Sequence, residues 1–297
     1  MNNAIRNTIF VEDATVIQQL DFPENQFILR LYAPQCAAQA RPGTFAHVRC
    51  DTKIPMRRPL SIMRSNPGEG SVDFFYKIVG PGLKALSQAK VGDCINIIGP
   101  IGNGFWFHEQ NSVQLMIGGG VGIPPIVFLA EHLQHTNKPK FSPVVFMGSE
   151  LPFPFETTPS VLPLTGIPKT VSATMPLLED LEIPCRLASL HGYTGRYQGY
   201  VTNLARDWLE SLTPESRREI EIFACGPEAM LHAVALIATE IGLPCQLCLE
   251  EFMACAVGGC AGCTVAVHTD SGIAMKRICV DGPVFEAASI YPGNGSP

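Results

Sequence analysis

Hydrophobic and polar positions change rhythm twice along this chain. Up to about residue 105, short runs such as TFAHVRC, PLSIM, VDFFYKIV and CINIIGPIG alternate or carry β-branched and aromatic residues. SNPGEG, GPG and KVGD divide them, and short strands closed by such turns predict an antiparallel sandwich or barrel. From about 112 the apolar runs alternate with helical spacing: VQLMI, a set of glycines, PPIVFLAEHLQH, then PVVFMGS. REIEIFACGPEAMLHAVALIATEIG repeats the unit, its helix marked by Met230, Val234, Ile237 and Ile241. Strands alternating with helices predict a parallel α/β sheet. Between these units, the proline-rich ELPFPFETTPSVLPLTGIPKT reads as loop. The pattern divides the chain into an antiparallel β domain over 1–108, an α/β domain over 109–246 and a small cysteine-rich domain over 247–297.

Composition narrows the class. Of 297 residues, 46% are apolar and 16% charged, which suits a folded globular chain. The net charge of −6, without a long basic run, speaks against nucleic acid or an anionic membrane as partner. VQLMIGGGVGIPPIVFLA is long enough to suggest a membrane span, but four glycines and Pro124-Pro125 interrupt it. It reads instead as strand, glycine turn and helix start. MNNAIRNTIFVEDATV shows no export signal, so the expectation is a cytoplasmic protein. Eleven cysteines in such a chain favour a metal or redox role over disulfides. Cys36, Cys50, Cys94 and Cys185, scattered among apolar neighbours, are expected to be buried inert thiols.

Cys255, Cys260 and Cys263 stand as C-x4-C-x2-C within MACAVGGCAGC, and Cys279 follows. This is the plant-type ferredoxin spacing for a [2Fe–2S] cluster. Ala256, Gly258, Gly259, Ala261 and Gly262 let backbone N–H groups approach sulfur without Cβ clashes. A structural zinc site is the rival, although zinc motifs usually pair ligands as two separate C-x2–4-C units. Cys245 and Cys248 form a further C-x2-C, which in a strand points to opposite faces. They read as structural, with a spare-ligand role left open.

IGGGVGIPP, with Gly118, Gly119, Gly120 and Gly122, lies between a predicted strand and helix, where a turn and a helix N-terminus can hold a pyrophosphate. The strict G-x-G-x-x-G pattern is absent, and a simple tight turn is the other reading. Arg58-Pro59-Leu60-Ser61 sets a fixed cation three residues before a hydroxyl; a strand start is its plainer reading. ACGPEAM places Cys225 and Gly226 at the end of a strand, where open α/β sheets bind ligands. Glu150, in MGSE after another strand, can accept from a ribose 2′-OH and repel a 2′-phosphate, which predicts NAD over NADP.

In order along the chain, RPLS, FYKIVGPGL, GPIGNGF, GGGVGIPP, ACGPEAM and the cysteine motif resemble the ferredoxin–NADP reductase-like flavoproteins. Among these, the chain is similar to the electron-transfer subunits of NAD-dependent dihydroorotate dehydrogenases, over nearly its whole length. The resemblance implies a β-barrel holding FAD, an α/β domain facing NAD and a C-terminal [2Fe–2S] domain. It implies FAD contacts from Arg58, Pro59, Leu60 and Ser61, from Phe75, Tyr76 and Lys77, and from Gly82 and Leu83. Lys77 and Leu83 stand where members often have Arg and Thr, and Leu83 leaves only its backbone for a hydrogen bond. Gly118 to Gly122 and Gly226 would flank the dinucleotide, with Cys225 and Ser61 at the reacting rings. Leu190 and His191 replace the acidic pair of a T-D-D-G stretch. The implied partner is an FMN-containing dihydroorotate dehydrogenase catalytic subunit in a hetero-oligomer of pyrimidine biosynthesis. Two rivals are a reductase component feeding an oxygenase or hydrogenase, and a binding protein that keeps the fold without cofactors.

Overall fold

The computed structural model describes residues 8–136 and 140–293. The first seven residues of the segment read for an export signal lie outside them. Six strands close a barrel: β1 (Phe10–Phe22), β2 (Gln26–Tyr32), β3 (Phe45–Val48), β4 (Arg58–Asn66), β5 (Ser71–Lys77) and β6 (Cys94–Ile101). They run β1-β2-β5-β4-β3-β6, all neighbours antiparallel. The last four match the predicted runs. The apolar pattern misses β1 and β2, and the reason is local. In β1 only alternate positions face inward, among them Glu12, whose carboxylate accepts from the N–H groups of Gln35 and Cys36 at 2.9 and 2.6 Å. A register shift between Val16 and Gln18 then breaks the period.

The second unit is a seven-stranded sheet. Its strands are β7 (Val113–Gly119), β8 (Ser142–Gly148), β11 (Cys185–Ser189), β12 (Tyr197–Gln198), β13 (Ile220–Cys225), β14 (Cys245–Cys248) and β17 (Val284–Glu286). Their order is β12-β11-β8-β7-β13-β14-β17, parallel except for β17. The helix Ile123–His135 covers one face, and Val201–Ser211 and Glu228–Ile241 cover the other. Pro124 and Pro125 occupy the first turn of the helix they follow, where no N–H is needed, so they begin it rather than break it. The proline-rich loop holds only the two-residue strand β9 (Thr158–Pro159), paired with β10 (Ala173–Thr174).

Beyond Cys248 the chain leaves this sheet, forms the cysteine loop and the hairpin β15 (Thr264–Thr269) and β16 (Gly272–Arg277), and returns at Val284. Phe45 and Ile101 of the barrel pack with Cys263, Val267, Ile278, Cys279 and Phe285, so the loop rests on a shared core. Asn103 fixes the same joint, its side chain donating to the carbonyls of Val280 and Asp281 at 3.0 and 3.1 Å. Between barrel and sheet, Arg64 of β4 donates through Nε and Nη2 to Glu131 of the helix Ile123–His135, at 3.0 and 2.5 Å. Among the described residues no helix is long and apolar enough to cross a membrane.

Candidate functional site

One wall of the barrel, the C-terminal end of β14 with Val121 and Glu228, and the segment entering the cysteine loop enclose a cleft of about 1030 Å³. Arg58 to Ser61, at the start of β4, line it beside Phe75, Tyr76 and Lys77, at the end of β5. The two strands are antiparallel neighbours, so these motifs meet at one end of the barrel. Gly82 lies behind Arg58: a Cβ there would sit 3.1 Å from the guanidinium. Arg58 Nη1 donates to the carbonyls of Met56 and Arg57 at 2.8 and 3.1 Å, which turns the cation across the cleft wall. Tyr76 spends its ring on the barrel core, stacked on Phe27 at 5.4 Å, and its hydroxyl donates to Gln19. Leu83 is likewise packed in that core, so its backbone is what remains for the cleft.

On the sheet side, Gly118 pairs with Cys225 across β7 and β13, which brings the glycine turn and the ACGPEAM motif together. Gly120 has φ +55°, open to glycine at little cost. Gly122 lies against the end of β13, where an added Cβ would be 2.4 Å from the Cys225 carbonyl and the Gly226 nitrogen. Val121 and Glu228 reach the cleft. Cys225 does not line it: the residue is wholly buried and packs against its β14 neighbour Cys248. That hydrogen bond first, and burial second, push its thiol well above the usual range. Cys248, read from its C-x2-C motif as structural, does line the cleft. Its partner in C-x2-C, Cys245, faces the opposite core, as strand alternation requires.

Glu150 is exposed just beyond β8, and His191 lies on the loop after β11 with its ring edge-on to Tyr193 at 5.9 Å. Of the four scattered cysteines, Cys36 and Cys185 are buried and Cys50 is partly so. Cys94 is exposed at the first residue of β6, contrary to the buried-thiol expectation, because the strand is still outside the barrel core there.

The cysteine loop folds around its sulfurs. Cys263 and Cys279 Sγ stand 3.4 Å apart, and the Cys260 thiol hydrogen-bonds Cys255. The N–H groups of Cys260 and Gly262 point at Cys255 and Cys260 Sγ, both at 3.4 Å. Burial alone would raise the Cys255 thiol, but N–H donors from Val257, Cys260 and Gly259 outweigh it and bring it down to about 7. Burial, then the Cys263 contact, pushes Cys279 up to about 12. Ala256 and Ala261 adopt φ +57° and +56°, a left-handed conformation that costs alanine energy. Arg277 steadies the loop by donating to the Gly258 carbonyl at 2.8 Å. Among the described residues no three His, Cys, Asp or Glu side chains close on a single metal ion. The thiols form two pairs, an arrangement suited to two irons rather than one.

The segment from Leu249 to Ala254, and Gly262 within the loop, form the remaining cleft wall. Their adjacency to the cysteine motif was the only sequence signal for them. Glu250 is exposed within the cleft, and the protein around it shifts its carboxyl upward, to about 7. The contribution of this one exposed carboxyl to stability is full below its ordinary 4.5 and is lost as pH rises through about 7.

Residues 250–291 match the family described as the iron–sulfur cluster binding domain of dihydroorotate dehydrogenase B. The chain is 34% identical over 250 residues to a dihydroorotate dehydrogenase B (NAD(+)) electron transfer subunit from Caldanaerobacter subterraneus subsp. tengcongensis, covering 84% of this chain and 86% of the relative. A subunit of the same description from Desulforamulus reducens is 30% identical, over 93% and 96% of the two chains. Among solved structures, one of an NADH-dependent reduced ferredoxin–NADP oxidoreductase, described for flavin-based electron bifurcation, superposes with TM-score 0.74 at 25% identity, covering 94% of this chain and 90% of the other. Phthalate dioxygenase reductase shares the fold with TM-score 0.56 at 14% identity, covering 90% and 76%.

Proposed function

Because the chain belongs to the family of dihydroorotate dehydrogenase B electron-transfer subunits, we propose that it relays electrons between an FMN-containing catalytic subunit and NAD+. The route runs through a [2Fe–2S] cluster and FAD, and the work belongs to pyrimidine biosynthesis in the cytoplasm. The observation that carries this reading is the shared cleft: Arg58, Ser61 and Lys77 face the cluster-side residues Met253, Ala254 and Gly262 across one cavity. A flavin lying there adjoins the cysteine loop, so electrons need cross no separate domain.

The residues fit both groups. Arg58 offers a guanidinium to the FAD pyrophosphate, with Gly82 leaving it room. Ser61 offers a hydroxyl to the ring edge, and the Tyr76 and Leu83 backbones frame it. Cys255 with Cys260, and Cys263 with Cys279, would each hold one iron, with N–H groups aimed at their sulfurs. When bound, the flavin supplies the exchange between the paired electrons of nicotinamide and the single electrons of the cluster. Cys225 acts from beneath the sheet end as a neutral thiol that packs the floor of the nicotinamide site. Division of labour follows the proposed units, 1–108 for FAD, 109–246 for NAD and 247–297 for the cluster.

Expression with its natural neighbours tests the assignment. A yellow-brown protein with one FAD and a [2Fe–2S] signal per chain, co-purifying with an FMN dehydrogenase, is expected. Colourless protein overturns it, and an oxygenase in the partner's place selects a reductase component instead.

Glu150 and the Gly118–Gly122 turn would face the adenosine and pyrophosphate of NAD, the carboxylate disfavouring a 2′-phosphate. The kcat/KM with NADH is therefore expected to exceed that with NADPH. The opposite ranking removes Glu150 from the specificity role.

A further inference from the structure

Four of the eleven cysteines belong to the cysteine loop, and two of the others meet across the sheet. Cys225 ends β13 and Cys248 ends β14, directly opposite each other in the parallel register. Both side chains enter the same core, so they lie on one face of the sheet. Neighbouring strands run about 4.8 Å apart, within the roughly 4.4–6.8 Å that a disulfide spans between Cα atoms. The two thiols already hydrogen-bond, and this contact first, then burial, holds the proton on Cys225. Cys225 is wholly buried, whereas Cys248 lines the cleft, its Sγ donating to the Gly43 carbonyl at 3.9 Å. One sulfur therefore borders the cavity, and its partner stands directly behind it. Cys245 does not compete, because it faces the opposite core.

We propose that Cys225 and Cys248 form a dithiol that hydrogen peroxide closes to a disulfide, and that closure hinders reduction of the flavin by NADH. The inference rests on the electron-relay reading above, since a reduced flavin meeting oxygen supplies the peroxide within the cleft. The step balances. Cys248 Sγ attacks the O–O bond, giving a sulfenic acid and water. The Cys225 sulfur then displaces hydroxide from it, an S–S bond forms, and the Cys225 proton leaves with that hydroxide as a second water. Two thiols thereby lose two electrons and two protons, and one peroxide becomes two waters. A dithiol reductant reverses the change by thiol–disulfide exchange.

Closure moves atoms on which the nicotinamide side depends. An S–S bond is about 2.05 Å long, far shorter than a contact between thiols, so the two strand ends must adjust. A Gly122 Cβ would stand 2.4 Å from the Cys225 carbonyl and the Gly226 nitrogen, and Gly118 pairs with Cys225 across β7 and β13. The thiol pair thus abuts the glycine turn proposed for the dinucleotide, and a shift at Cys225 displaces that turn.

Peptide mass tests the bond. Holoprotein is treated with hydrogen peroxide, alkylated and cut after glutamate without reductant, which places Cys225 in residues 222–228 and Cys248 in residues 241–250. A species joining the two, lighter than their sum by two hydrogens, is expected in the wild type and in Cys245→Ser. It should be absent from Cys248→Ser and Cys248→Ala. By stopped flow, flavin bleaching by NADH should slow at least about tenfold in the treated wild type and recover with dithiothreitol. In the Cys248 variants peroxide should leave the bleaching rate unchanged. A wild type without the joined species, a join made through Cys245, joined protein bleached at the untreated rate, or Cys248 variants slowed equally by peroxide overturns the inference. FAD and iron content of the untreated wild type decides the relay reading separately, so failure of one is not mistaken for failure of the other.

Discussion

Cys260→Ser is expected to abolish the [2Fe–2S] spectrum while leaving FAD bound. Cys260 is an exposed thiol at the tip of the loop, hydrogen-bonded to Cys255 and receiving the Gly262 N–H at 3.4 Å. Serine keeps the shape, but an alkoxide is far harder to form than a thiolate, and hard oxygen suits these irons poorly. The loop's left-handed alanines, Ala256 and Ala261, lose the metal–sulfur bonds that offset their strain. The loop should then loosen, whereas the barrel residues that contact FAD stay supported by their own closed sheet. Iron analysis, EPR and the flavin absorbance ratio measure both halves. A normal cluster signal in the variant would refute the ligand. Replacement by Cys248 is structurally remote, since that side chain is committed to the core beside Cys225.

Gly122→Ala is the largest expected effect on stability. The new Cβ would meet the Cys225 carbonyl and the Gly226 nitrogen at 2.4 Å, and both are backbone. No rotamer relieves that contact, so the helix Ile123–His135 must move away from β13. The loss should be on the order of 3 kcal/mol or more, at the upper end for overpacking. Because this junction also shapes the proposed pyrophosphate turn, NADH affinity should fall while FAD remains. Denaturant unfolding and NADH titration measure the two effects. Gly68→Ala is the control: its Cβ would only touch the Asn66 side chain at 3.4 Å, and a change within about 0.5 kcal/mol is expected. An unchanged midpoint in Gly122→Ala would contradict the close packing.

Much of the architecture was legible because period and chemistry coincided. β3 to β6 are short, bounded by turn residues and strongly apolar, and the α/β units carry their strand–glycine–helix order openly. β1 and β2 were hidden because one barrel face carries polar groups with local partners, Glu12 capping backbone N–H groups being the clearest. The cysteine motif was equally legible, since ligand spacing on one loop is a one-dimensional property.

The cleft was not. Its far wall comes from residues adjoining the loop, and its near wall from two strands whose motifs are separated in sequence. Cys225 showed the opposite limit: the motif located it correctly at a sheet end, but its 0% exposure depends on Cys248 from the next strand.

By itself, then, the sequence determined the order of the units, the glycine turn, the ligand spacing and one cleft cation, Arg58. Each of these is encoded within a few consecutive residues, as local sterics or local donor chemistry. Only the tertiary structure decided that β17 returns to the sheet beyond the cluster, that Cys248 rather than Cys225 lines the cavity, and that Glu250 faces the barrel cations across it. Those properties arise from desolvation and packing by atoms distant in the chain, and no short stretch of sequence carries that information.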